Sequence, residues 1–134
     1  IQPYRLEMGT KMANGRGKSL YDFWGTGIAD QLNADLADHH DTTVVNLASN
    51  EYFKAAKGEL LNGHVLTPVF KEKKGDQYRI ISFCAKRARG MMSRFIIKNR
   101  CNKTTNLKAF NEEGYTFQAK LSSEKEFVFT RSAE

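Results

Sequence analysis

The residues best suited to chemistry lie near the start of the chain, where Arg5 and Glu7 alternate along one side of a short segment and Lys11 follows a glycine turn. A carboxylate beside two cations stays ionised, which suits a ligand clamp or an electrostatic stabiliser better than a general acid. Together with Tyr4 and Asn46, these side chains are candidates for a pocket that holds a nucleotide or a flipped base. The alternative is an ion-pair network that joins two strands and a loop.

Other signatures of catalysis or metal binding are missing from the sequence. We find no Ser/His/Asp arrangement, no P-loop and no dinucleotide-binding fingerprint, so catalytic residues stay unassigned and enzymatic activity stays open. The two cysteines, Cys84 and Cys101, form no CxxC motif, which argues against a zinc site and a disulfide framework and fits a reducing cytoplasm. We therefore predict no metal site and no cofactor.

The strongest binding signal is the basic stretch CAKRARGMMSRFIIKNR at residues 84–100, which contains no acid. Helical spacing places its apolar side chains within one arc of about 140°, the expected core face. That face consists of Ala88, Met91, Met92, Phe95 and Ile96. The basic residues flank the arc in two rows with Gly90 between them, and each is a candidate phosphate contact. They are Lys86, Arg87, Arg89, Arg94, Lys98 and Arg100.

Two interpretations of this basic helix are open. Its cations contact nucleic-acid phosphates, or they pair with acids elsewhere, such as the Asp-rich region 22–41. A helix with a purely solvated face usually interleaves Glu with Lys, whereas this one accepts like-charge repulsion. Residues 71–100 carry ten basic and two acidic residues, in a chain of net charge +6. We expect double-stranded DNA or another nucleic acid as the partner, bound with little sequence preference.

The elements that must position these residues follow from apolar periodicity and turn residues. Strands are predicted at 3–8, 42–48, 64–71, 77–83, 115–121 and 126–131, with a loop at 9–18. Helices are predicted from Ser19 to about Ala37, from Ser49, from about Ala85 to Arg100, and near 104–110. Pro68 predicts an edge or a bulge in its strand. Hairpins with interspersed helices indicate an α+β fold in one domain. No apolar run could span a membrane, and we expect a cytoplasmic monomer.

Several phrases resemble one family of bacterial proteins over essentially the whole chain. They are IQPYRLEMGTKMAN, LYDFWG, NLASNEYFK, FCAKRARGMMSRFIIKNR and FNEEGYTF. They are similar to the YaaA family of peroxide stress proteins, whose members are longer and carry these motifs in their C-terminal half. The resemblance implies that residues 1–134 are the C-terminal portion of a YaaA-like domain. It also implies a compact mixed α/β fold with a positively charged cleft.

The same resemblance implies a function. Family members act in the cytoplasm during peroxide stress, bind DNA and limit iron-dependent oxidative damage. DNA binding in the family is associated with a helix-hairpin-helix, for which LYDFWGTGIADQL is a candidate. The nearby acids Asp22 and Asp30 oppose phosphate binding and favour a continuous helix here. The alternative function is an enzyme that acts on a nucleotide or nucleobase through a pocket containing Arg5, Glu7 and Lys11.

Overall fold

The computed structural model describes Met8, residues 11–39 and residues 41–133, with the backbone alone for residues 11–14. Two units are built from segments that alternate along the chain. One comprises Ile1–Thr42 and Ala48–Gly63, and the other comprises Thr43–Leu47 and His64–Glu134. The predicted strand 3–8 lies outside the described residues apart from Met8, which is buried.

The first unit begins with a hairpin where we predicted a loop. Strand β1 (Lys11–Asn14) pairs antiparallel with β2 (Gly17–Ser19), with Asn14 opposite Gly17 across a two-residue turn. The loop prediction for 9–18 is therefore wrong. The dipeptide Asn14-Gly15 is a strong hairpin signal, but the flanking segments are too short and too polar to show a clear alternation.

Ser19 caps the next helix as predicted, but that helix is interrupted. Helix α1 (Leu20–Trp24) begins with a capping box in which Ser19 and Asp22 each accept a backbone N–H from the other. It ends at Gly25, whose φ of 50° is left-handed, and α2 (Gly27–Leu36) begins after Thr26. The predicted continuous helix to Ala37 is therefore wrong. Glycine adopts this conformation at little cost, so the second half of the segment starts a new helix.

The rest of the first unit is held by hydrogen bonds to its short helical segments. Ser49 begins α3 (Asn50–Phe53) as predicted. The Glu51 carboxylate accepts the Met8 backbone N–H at 2.9 Å, and the Tyr21 hydroxyl donates to the Glu51 carbonyl at 2.6 Å. Glu51 therefore fixes the position of residue 8 in this unit.

The second unit contains the sheet. Its strands are β3 (Thr43–Val45), β4 (His64–Lys74), β5 (Gln77–Arg79), β6 (Thr116–Phe117) and β7 (Glu126–Ser132). The order is β3-β4-β7-β6, and β5 also pairs with β4. The predicted hairpins β4–β5 and β6–β7 are confirmed as antiparallel pairs. The strands predicted at 77–83 and 115–121 are too long, because a helix already begins at Ser82 and Ala119–Leu121 forms a 3₁₀ turn. The parallel pairs β3–β4 and β4–β7 were not predicted.

Pro68 occupies a gap in the pairing of β4. On one side it lies opposite Phe127 of β7. On the other side, the pairing to β3 ends at Leu66 and the pairing to β5 begins at Glu72, as far as the described residues show. The missing N–H of proline therefore costs no ladder hydrogen bond there, so the prediction of a local edge is confirmed.

Helix α4 (Ser82–Lys98) covers the core of this sheet. The buried cluster combines Ala88 and Met92 of the helix with an aromatic group from the sheet and the following loops. Within that group, Phe70 stacks on Phe129, and Phe110 meets both rings edge-on at 5.7 Å between centroids. Mixed helices and strands of this kind confirm the predicted fold class.

A buried carboxylate connects the sheet to the loop before β6. Glu72 of β4 is 4% exposed and lies opposite Arg131 of β7 in the parallel register. Its carboxylate accepts from the Arg131 guanidinium and, at 2.7 Å, from the Tyr115 hydroxyl. The Arg131 guanidinium also lies over the Tyr115 ring, 4.4 Å from its centroid. Desolvation by burial, together with this carboxylate, raises the pKa of the Tyr115 hydroxyl.

We expect Glu72→Ala to lower the free energy of unfolding by about 1–3 kcal/mol, because it leaves the buried Tyr115 hydroxyl without its acceptor and removes one of the two carboxylates near Arg131. Urea unfolding of the full-length protein, followed by circular dichroism, measures this change. The matched control is Glu59→Ala at an exposed acid, which should stay within about 0.5 kcal/mol of the wild type. A cost below about 1 kcal/mol for Glu72→Ala would show that the network is not essential to the fold.

Candidate nucleic-acid interface

Helix α4 presents one apolar face to the core, as the periodicity predicted. Ala85, Ala88 and Met92 are buried. Met91, Phe95 and Ile96 are partly buried and pack against the same cluster. The helix therefore has a fixed rotation about its axis.

The helix boundaries differ from the prediction. α4 begins at Ser82 rather than near Ala85, and it ends at Lys98 rather than Arg100. Arg100 follows the helix with a left-handed φ of 49°, and the Cys101 N–H donates back to the Ile96 carbonyl. Arg100 is therefore exposed beyond the helix end and does not continue the row in which we placed it.

Most of the predicted phosphate contacts are accessible. Arg89 is partly buried, and the other five cations are exposed: Lys86, Arg87, Arg94, Lys98 and Arg100. Opposite the buried face lie Gly90 and Ile97, and the Ile97 side chain is 74% exposed. A Cβ added at Gly90 would meet no described atom within 4 Å. The backbone of α4 is therefore open at the centre of its basic face.

One of these cations forms an ion pair. Arg87 binds Glu113 through two nitrogens, and its shortest contact to the carboxylate is 2.6 Å. Arg131 also reaches this residue, since its guanidinium donates to the Glu113 carbonyl at 3.2 Å and lies 3.6 Å from the carboxylate. Among the described residues, no carboxylate lies within 4 Å of the other five cations.

The Arg87 pair gives a pH-dependent contribution to stability. Hydrogen bonds from Arg87 hold the pKa of the Glu113 carboxyl below its ordinary value of 4.5. A carboxyl whose pKa is lowered on folding stabilises the folded state above its unfolded pKa, and this contribution is lost as the pH falls through the folded value.

We therefore expect wild type to have a higher free energy of unfolding than Glu113→Gln. This difference should be largest near pH 7 and should shrink progressively below pH 4.5. Urea unfolding of the full-length protein at several pH values measures it. Glu112→Gln is the matched control, because this neighbouring exposed acid forms no ion pair within the described part of the chain. A Glu113→Gln difference that stays constant from pH 7 to 3 would contradict the assigned pair.

The structure does not test the predicted pocket. Tyr4, Arg5 and Glu7 lie outside the described residues, and Lys11 is described by its backbone alone, in β1. Asn46 is buried just beyond the end of β3, and its side-chain amide donates to the Thr67 hydroxyl at 3.3 Å. The pocket and the enzyme that would use it therefore remain predictions.

Sequence reasoning missed two features of the second unit. One is the Glu72 network, whose signal was available: Glu72 falls on the buried phase of the alternation in β4. The other is a cavity of about 650 Å³ at the start of β3 and β4. Lys108 lies at this cavity with its ammonium 5.4 Å from the ring centroids of both Phe117 and Phe127. The cavity gathers residues that are far apart in sequence, so no local pattern revealed it.

The described residues provide no further site of the kinds considered above. No group of three or more His, Cys, Asp or Glu side chains among them could hold a metal ion. Both cysteines are free and partly buried. The segment LYDFWGTGIADQL forms two helices around its glycine turn rather than one, and Asp22 is used in the cap of the first.

Comparison with known proteins identifies the family. A family model described as peroxide stress protein YaaA matches residues 1–121. The chain belongs to the YaaA family. Its relatives include a UPF0246 protein of Saccharophagus degradans, 59% identical over 98% of this chain and 51% of its own length. A UPF0246 protein of Idiomarina loihiensis is 52% identical over 100% of this chain and 52% of its own length.

The comparison also shows how much of its relatives the chain covers. The chain spans about half the length of the curated relatives it matches. Across the residues that the structure describes, no helix combines the length and the apolar character needed to cross a membrane. The YaaA family supports a role in peroxide stress.

Proposed function

We propose that the outer face of α4 binds the phosphates of nucleic acid, above all double-stranded DNA, and that the protein acts in this way during peroxide stress. The observation that carries the proposal is that Lys86, Arg94 and Lys98 are exposed on α4 without an acidic partner in the described structure, with Arg89 partly buried beside them and Arg100 just past the helix end. The positive side chains on this face repel one another, and bound phosphates reduce that repulsion.

The Arg87–Glu113 pair makes the candidate contacts unequal. Arg87 must exchange a carboxylate for a phosphate before it can bind DNA, so its net contribution is small. Arg94 and Lys98 are exposed and lie one turn apart, without an acid within 4 Å in the described residues. They are the primary contacts in this proposal, with Lys86, Arg89 and Arg100 secondary.

The composition of the face supports binding with little sequence preference. Base edges are read by bidentate side chains such as Asn, Gln and Arg held in a groove. The centre of this face instead carries Gly90, Ser93 and Ile97, which offer little hydrogen-bonding capacity. Lys and Arg around such a centre fix the position of the protein on the phosphate backbone without reading sequence.

Phosphate binding also links the protein to iron. Ferrous ion reduces hydrogen peroxide to hydroxide and hydroxyl radical and becomes ferric ion. Where the ferrous ion is a counterion of DNA, the radical forms beside the backbone. A protein that neutralises phosphates releases condensed cations from them. We propose that the protein limits iron-dependent damage to DNA by this displacement.

We expect Arg94→Gln with Lys98→Gln to weaken duplex binding and to lower the slope of log affinity against log salt by about 2, one unit per lost phosphate contact. Fluorescence anisotropy of a labelled duplex with the full-length protein, at several salt concentrations, measures this slope. The control, Lys120→Gln with Lys125→Gln, removes the same charge from two exposed lysines outside α4. Equal slopes for all three proteins would overturn the proposal.

The displacement mechanism makes a separate prediction. Wild-type protein at saturating concentration should reduce the cleavage of plasmid DNA by ferrous ion and hydrogen peroxide, and the Arg94/Lys98 variant should protect less at equal concentration. Agarose gels that separate nicked from supercoiled plasmid measure the difference. Equal protection by both proteins, despite weaker binding by the variant, would reject displacement while leaving DNA binding intact.

A further inference from the structure

The surface where β5 leads into α4 exposes consecutive large apolar side chains. Tyr78 is 38% exposed, Ile80 59%, Ile81 45% and Phe83 78%. Single exposed apolar residues are ordinary, but four within six positions form a patch that water alone solvates poorly. We refer to Tyr78, Ile80, Ile81 and Phe83 as the junction patch.

Positive charge surrounds the junction patch in sequence. Lys73, Lys74 and Arg79 are exposed on the β4–β5 hairpin, and Lys86 and Arg87 are exposed on the first turns of α4. Acids are scarce in this stretch. Glu72 is buried against Arg131, so Asp76 in the hairpin turn is the exposed acid between Lys71 and Arg100. An aromatic and aliphatic patch is thus framed by cations.

The two aromatic rings are presented differently. Tyr78 lies opposite Lys73 across the hairpin, and the Lys73 ammonium is 5.7 Å from the Tyr78 ring centroid. Phe83 has no ring or cation stacked on it within the described structure, although the other phenylalanines of this unit pack against aromatic neighbours. The faces of Phe83 are therefore available to a planar partner.

The start of α4 adds hydrogen-bond donors beside Phe83. Ile81 occupies the N-cap position and provides no side-chain cap, and the first turn contains no acid. The first backbone N–H groups of a helix lack partners within the helix and attract anions. The N–H groups of this helix end therefore add to the attraction that the neighbouring basic side chains exert on an anion.

We propose that the junction patch binds unpaired nucleotides, with bases stacked on Phe83 and Tyr78 and their phosphates held by Lys73, Lys74 and Arg79. This inference rests on the proposed function and adds a second surface to it. Aromatic platforms beside cations are the usual means of binding single strands, because every base has a face that stacks. Duplex DNA keeps its bases stacked inside, so it has little to offer this patch.

The charges favour nucleic acid over a protein as the occupant. Lysine is depleted in protein–protein interfaces, where its desolvation is costly. A protein face on this patch would have to desolvate or neutralise several lysines. The other occupant, a part of the longer family chain that packs on the patch, is an outcome of the test.

The test compares Phe83→Leu with Phe83→Tyr in the full-length protein. Leucine keeps the apolar character but cannot stack, whereas tyrosine stacks almost as well as phenylalanine. We expect Phe83→Leu to weaken binding of a labelled single-stranded oligonucleotide by about 5- to 100-fold, the effect of losing one stacked base. Phe83→Tyr should stay within about twofold of the wild type, and neither change should alter the affinity for a duplex of the same sequence.

Two controls locate the effect. Leu121→Ala truncates an exposed apolar residue outside both α4 and the junction patch and should leave single-strand binding unchanged. Tyr78→Leu against Tyr78→Phe repeats the comparison at the second ring, which keeps the test decisive if Phe83→Leu fails to fold.

Three outcomes would overturn the proposal. Unchanged single-strand affinity for both leucine variants would show that the rings do not stack. Equal weakening on single strand and duplex would show a general loss of the binding surface. If Phe83→Leu kept the wild-type single-strand affinity and Phe83→Tyr lowered the melting temperature, another part of the chain would bury the patch. The Arg94/Lys98 variant in the same duplex assay tests the proposed function separately.

Discussion

The buried contact between Glu72 and Arg131 links the sheet to the loop before β6 and, through Glu113, to the basic helix. It joins the central strand β4 to β7 in one register, and the Tyr115 hydroxyl adds the loop that leads into β6. A carboxylate that is 4% exposed is tolerated only when its partners are in place. Arg131 then reaches Glu113, and Glu113 reaches Arg87 on α4. One chain of charges thus runs from the centre of the sheet to the surface of the helix.

This arrangement gives α4 two distinct roles. Its apolar side closes the core over the aromatic cluster, so the rotation of the helix is fixed by packing. Because that rotation is fixed, its cations are presented together rather than spread over several orientations. Arg87 belongs partly to the structural network, and Arg94 and Lys98 are left for external anions. Membership of the YaaA family supports a role in peroxide stress and does not assign a ligand to this surface.

Local features were predictable from the sequence, and features that join distant segments were not. The apolar stripe of α4, the cap at Ser19 and the β4–β5 hairpin follow from periodicity and turn residues within a few positions. The parallel pairing of β4 with β7 joins residues about sixty positions apart, and no local pattern encodes such a choice. The same holds for the partner of Arg87, because the acid it binds is one of fifteen in the chain. The exposure of Phe83 depends on where α4 begins. Helix propensity predicted a start near Ala85, three residues after the observed start at Ser82.

The parallel pairing of β4 and β7 also has a consequence for how the protein is made. Helix α4 and the segments that follow it separate these strands, so β4 is synthesised well before its neighbour. Until then, one edge of the central strand has unpaired N–H and C=O groups next to apolar side chains, a combination that promotes association between chains. Non-local pairing of this type also folds slowly. The exposed edge of β4 is therefore covered only after β7, the partner that comes later in the chain, has been synthesised.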